Sequence, residues 1–60
     1  MNQNNEYVGK SLTELKTIRS QLTAEYHTLA ETSEDHDYYA TLFSMLAYAE
    51  GIAIATRNFQ

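Results

Sequence analysis

The chain has 60 residues, and its eight Asp and Glu against four Lys and Arg leave a formal charge of −4. That length allows one small domain. The acidic balance argues against a general nucleic-acid binder, which normally displays a basic face, and the lack of cysteine excludes disulfides and thiolate metal sites. No apolar run approaches the roughly 18 residues of a membrane span. MNQNNEYVGK lacks the basic start and apolar middle of a secretion signal, so a cytoplasmic location is expected by default.

Residues 1–10 are mostly polar and carry no periodicity, which predicts a flexible N-terminal arm with Tyr7 and Val8 anchoring its end. A helical hairpin is expected over 11–60. Ser11-Leu12-Thr13-Glu14 has the form of a capping box, in which the Ser11 hydroxyl takes the Glu14 N–H and the Glu14 carboxylate returns to the Ser11 N–H. Beyond it Leu12, Leu15, Ile18, Leu22, Tyr26, Leu29 and Ala30 recur at steps of three and four, so the first helix is expected over about 12–31, with one apolar stripe. Lys16, Thr17, Gln21, Thr28 and Glu31 turn away from that stripe.

A turn is expected at about 32–34. Thr32 or Ser33 can cap a second helix over about 35–58, whose acidic start suits the helix dipole. So short a connection makes the helices antiparallel neighbours. Folding about it puts Leu29 near Tyr38, Leu22 near Met45, Ile18 near Ala49, and Leu15 near Ile52 or Ala53.

The second helix is apolar nearly all round. Leu42, Leu46, Ala49 and Ala53 form its central seam, while Ala40, Ser44, Ala47, Gly51 and Ala55 make an arc of small residues on another side. A helix of this kind is normally an inner one, and one amphipathic neighbour does not cover it. The fold class expected is therefore all-α: a two-helix antiparallel hairpin that completes a four-helix bundle as an antiparallel homodimer. The residues expected at the dimer or partner interface are Tyr39, Leu42, Phe43, Leu46, Ala47, Tyr48, Gly51, Ile54 and Ala55. Gly51 stands out, because a mid-helix glycine costs roughly 0.5–1 kcal/mol relative to alanine.

Charge is segregated. Glu31, Glu34, Asp35 and Asp37 crowd the hairpin tip and form a candidate acidic contact surface; Lys16, Arg19 and Arg57 lie toward the open end as a candidate basic one. His27, Glu31, His36 and Asp37 offer ligand atoms near the turn, but two histidines at weak spacing read better as surface residues, and neither a metal nor a cofactor is expected. Ser20, Ser33 and Ser44 have no arranged base, and no glycine-rich phosphate loop exists, so no catalytic residue and no enzyme activity are expected.

These features point to a small protein–protein interaction module acting stoichiometrically as a regulator, inhibitor or adaptor. Its partners would be a second copy of itself and a protein target that the sequence does not identify, with no membrane partner. Three alternatives share the architecture: an RNA- or DNA-binding hairpin dimer using the basic residues, an acidic mimic of nucleic acid, and a subunit of a larger helical complex.

Overall fold

Ser11 starts the first helix in the manner its sequence context predicts. Its hydroxyl accepts the Glu14 N–H at 3.2 Å, and its own N–H donates to the Glu14 carboxylate at 3.3 Å. In the computed structural model, which describes residues 5–29 and 33–60, this box opens α1, Leu12–Tyr26. The second helix, α2, runs Asp35–Ala55. The described residues contain no strand, and the two helices pack as an all-helical hairpin.

α1 ends earlier than its apolar stripe suggests. His27–Leu29 form a turn in which the Thr28 N–H and hydroxyl both reach the Glu25 carbonyl, at 3.1 and 2.7 Å. A hydroxyl placed to take a helix carbonyl competes with the continuing ladder, and histidine and threonine are weak helix formers. Ala30, Glu31 and Thr32 lie outside the described residues. α2 begins after Ser33, whose hydroxyl accepts the Asp35 N–H at 3.1 Å, while the N-cap Glu34 makes no side-chain cap.

α2 also stops short of the expected 58. Thr56 caps it, the Arg57 N–H returns to the Ile54 carbonyl at 3.1 Å, and the Asn58 N–H reaches Ala53 O at 2.8 Å. This is the Schellman pattern, which needs a left-handed residue at the position after the cap. Arg57 occupies it with φ 59, where glycine is the usual choice.

The turn then reaches back to the start of α1. Asn58 O accepts the Leu12 N–H at 2.8 Å, and Phe59 O accepts the Thr13 hydroxyl at 2.6 Å. One of the orphan donors of the first turn is thereby satisfied by the other end of the chain.

Where the sequence reads as a loose arm, Asn5–Lys10 form a turn docked on the hairpin. The Asn5 side chain accepts the Tyr7 N–H and donates to Met45 O, both at 3.0 Å. Tyr7 packs against the core, and Gly9, at φ 99, reverses the chain toward Ser11. Only Met1–Asn4 of the arm lie outside the described residues.

The helices run antiparallel, as the pairs Leu12–Asn58, Arg19–Glu50 and Tyr26–Phe43 show. The layering differs from expectation. Extended along the helices, the expected layers set Arg19 opposite Tyr48 and Tyr26 opposite Thr41, whereas Glu50 and Phe43 stand there. The early end of α1 and the longer connection account for the offset. The core is Leu15, Leu46, Ala49 and Ala53, with Leu12, Ile18, Leu22, Phe43 and Tyr7 packed around it.

The molecule measures 38 × 29 × 12 Å. Its short dimension is the diameter of a single helix, about 10–12 Å. Its radius of gyration, 12.5 Å, exceeds the roughly 10 Å of a compact chain of this length.

The two positive-φ residues should respond oppositely to substitution. Gly9→Ala, in open space but at a left-handed φ, is expected to destabilise by roughly 1–2 kcal/mol. Arg57→Gly is expected to stabilise the single chain by about 1 kcal/mol. Urea unfolding at one low protein concentration checks both.

Candidate functional site

The side of α2 turned away from α1 is the most unusual surface of the molecule. At 100° per residue, Ala40, Ser44, Ala47, Gly51 and Ala55 fall opposite the buried Leu46, Ala49 and Ala53, and all five are exposed. Tyr48, 65 % exposed, borders them on one side, and Ile54, 55 % exposed, on the other. The only charged residue between Asp37 and Arg57 is Glu50, which faces α1 instead. An uncharged helix side more than four turns long therefore meets solvent.

Of the residues expected at an interface, Ala47, Tyr48, Gly51, Ile54 and Ala55 lie on this exposed side or its flanks. Tyr39, Leu42 and Phe43 are half-buried toward α1; Phe43 packs on the core and meets the Tyr26 ring edge-on at 5.8 Å. Leu46 is corrected. It is 0 % exposed within the single chain, where it pairs with Leu15 at the centre of the core, and has no surface to offer a partner.

Gly51 gains no explanation from the chain itself. A Cβ built there meets no atom within 4 Å, and its backbone is regular helix, so neither crowding nor an unusual φ calls for glycine.

Arg19, expected on a basic surface, is paired within the chain. Its Nε and Nη2 donate to the two carboxylate oxygens of Glu50, each at 2.9 Å, and its guanidinium lies 5.9 Å from the centre of the Phe43 ring. The bond to Glu50 raises the Arg19 pKa further above its ordinary value. A planar fork held on both oxygens and stacked on an aromatic face is committed within the chain. Lys16 and Arg57 remain exposed. A lone acid between Asp37 and Arg57 was the available signal for this pair.

At the tip, Glu34, Asp35 and Asp37 are exposed, while Glu31 lies outside the described residues. Tyr26 forms an aromatic hub there, with His36 at 5.1 Å, Tyr39 at 6.3 Å and His27 at 6.2 Å between ring centres. Among the described residues no three His, Asp or Glu side chains converge on a metal-sized site, and none enclose a pocket. Nor is any described helix long and apolar enough to cross a membrane.

No protein-family model, curated protein or solved structure matches this chain.

Two phenols are held in their protonated form. The Tyr39 hydroxyl donates to the Glu25 carboxylate at 3.0 Å, and that bond raises its pKa; burial, then the Glu6 charge, raises that of Tyr7. A group whose pKa is raised by folding stabilises fully below its unfolded value, and loses that contribution as pH climbs through the folded value. Stability should therefore hold to about pH 9 and fall from about pH 10 upward, since free tyrosine ionises near 10. Following unfolding across that range, with Glu25→Gln lowering the Tyr39 ionisation seen by tyrosinate absorbance, tests the assignment.

Proposed function

We propose that this chain is a non-enzymatic, cytoplasmic protein–protein interaction module that acts stoichiometrically, as a regulator, inhibitor or adaptor. Its working form is an antiparallel homodimer in which two hairpins join through the side of α2 turned away from α1, the four helices lying side by side rather than stacked face on face as a bundle. One observation carries the reading: the outer side of α2, from Ala40 to Ala55, is exposed, uncharged and flanked by the bulky Tyr48 and Ile54. Apolar helix surface of this kind is what helix-in-groove and helix-on-helix recognition use. α1, by contrast, turns Thr13, Lys16, Thr17, Ser20 and Gln21 to solvent, and needs no cover.

Gly51 supports the same reading from a different direction. A mid-helix glycine that nothing in its own chain requires is explained when another backbone comes close to it. With the second hairpin in place, the surfaces left for a protein target are the polar side of α1 and the acidic tip at Glu34, Asp35 and Asp37. Action on the target would consist of occluding its binding face, which asks for no reaction chemistry.

Substitution at Gly51 separates a covered surface from a wet one by sign. On a wet helix, Gly51→Ala stabilises by about 0.5–1 kcal/mol through helix propensity alone. On a closely packed interface the added methyl removes that gain, and Gly51→Leu weakens association by at least about tenfold, since overpacking typically costs 1–3 kcal/mol. Sedimentation equilibrium should give twice the chain mass for the native protein and a shift toward monomer for Gly51→Leu, with helical circular dichroism retained. A native protein that stays monomeric at every concentration, and that Gly51→Ala simply stabilises, would overturn the proposal.

A further inference from the structure

We infer that the two copies dock α2 against α2 with the two-fold axis between Ala47 and Tyr48, and that Asp37 of one protomer and Arg57 of the other clasp the contact at both ends. This rests on the antiparallel self-association proposed above and adds its register and clasp.

The argument starts from charge. The uncharged side of α2 is delimited by an acid at its start, Asp37, and a base just past its end, Arg57, both exposed. A parallel pairing would set Asp37 beside Asp37 and Arg57 beside Arg57, placing like charges together at both ends. An antiparallel pairing sets opposite charges together at both ends, and it opposes the helix dipoles as well. A two-fold interface must be self-complementary, and a surface bearing opposite charges at its two ends is self-complementary only head to tail.

Spacing then selects the register. Turning the helix about a point between Ala47 and Tyr48 sets Ala40 opposite Ala55, and Ser44 opposite Gly51. Tyr48, the one bulky residue near the middle, comes opposite Ala47. Every level thus pairs small with small or large with small, which lets two helices approach closely and interdigitate. In the same register Asp37 stands level with the Arg57–Asn58 turn. Arg57 sits there at φ 59, in a backbone position that favours glycine, so the chain keeps a guanidinium where local conformation alone would select against it.

The protein has no cysteine, so single introduced thiols report proximity without interference. In the full chain, Ala47→Cys should cross-link to itself under mild oxidation or with a short bis-thiol reagent. Ala40→Cys and Ala55→Cys should each fail to cross-link alone, yet join each other when mixed. Self-cross-linking of Ala40→Cys, with no Ala40–Ala55 product, would overturn the antiparallel register while leaving self-association intact. A monomeric mass with no cross-link at any position would overturn both this inference and the proposal beneath it.

The clasp is tested by charge reversal. Asp37→Lys should weaken association by about tenfold at low salt, because the repulsion is introduced twice by symmetry, and less at high salt. Adding Arg57→Asp should restore association. A defect in the start of α2 would not be repaired by a change beyond its other end, so restoration marks contact between protomers. Equal association of the native, single and double variants would overturn the clasp.

Discussion

The thickness of the molecule is one helix, and most of its other properties follow from that constraint. Two helices side by side have a seam but no interior: each keeps a flank on either flat side, and the outer edge of each points away from the other. Among the described residues, the hydrophobic side chains that lose nearly all contact with water are Leu15, Leu46, Ala49 and Ala53, and two of those four are alanines. Domains ordinarily close over such a seam with a second layer of secondary structure. Here the chain supplies only fragments of one, the Asn5–Lys10 turn against Met45 and the tail at Asn58–Phe59 against the start of α1. Both sit toward the open end or on one flat side, and neither reaches the outer edge of α2.

Those fragments explain how so short a hairpin holds its register. Apolar contact along a seam is non-directional and tolerates sliding. The hydrogen bonds at the open end are not so tolerant: Leu12 to Asn58, Thr13 to Phe59 and Asn58 to Gly9 fix the level of one helix against the other. The two-pronged bond between Arg19 and Glu50 repeats the constraint midway along the hairpin. Its net energy is modest, because Arg19 remains 38 % exposed and solvent screens it. Direction is its larger contribution, since a guanidinium fork meets a carboxylate in only a narrow range of geometries.

The all-helical hairpin, the capping box at Ser11 and the existence of both helices were legible from local sequence pattern, because a stripe at three- and four-residue steps is a signal that tertiary contacts seldom overrule. Helix ends were less legible. Thr28 could be read as an outward helix residue or as a hydroxyl that turns on the backbone, and only the fold chooses between them. The arm shows the same limit. Asn5, two residues before Tyr7 and four before Gly9, is a recognisable turn signal, but it was masked by a run of Asn and Gln that reads as polar tail. Leu46 was read in the central seam of α2, where the core holds it, and was counted toward an interface as well because α2 is apolar all round: when every side is greasy, pattern alone does not say where the core stops. The small arc was legible, since Gly51 breaks helix propensity without any local reason.

The two helices divide the needs of the molecule unequally, and the division bears on what the chain does. α1 is amphipathic: its inner side supplies Leu15, Ile18 and Leu22, its outer side is polar apart from the exposed Ala24, and a single neighbour satisfies it. α2 gives the same core Leu46, Ala49 and Ala53 while its outer side stays uncharged from Ala40 to Ala55. Solubility alone would favour charge on that side, and helix propensity alone would favour alanine over Gly51 and lysine or glutamate over Ser44. Neither pressure has acted there, although the same chain places charges freely at its tip and along α1. On the proposed reading, a surface that resists both pressures over more than four turns is accounted for by contact, and contact made through a helix flank requires shape and sign to match rather than a cleft or a catalytic group. On the function proposed above, the functional content of this chain lies in what α2 touches.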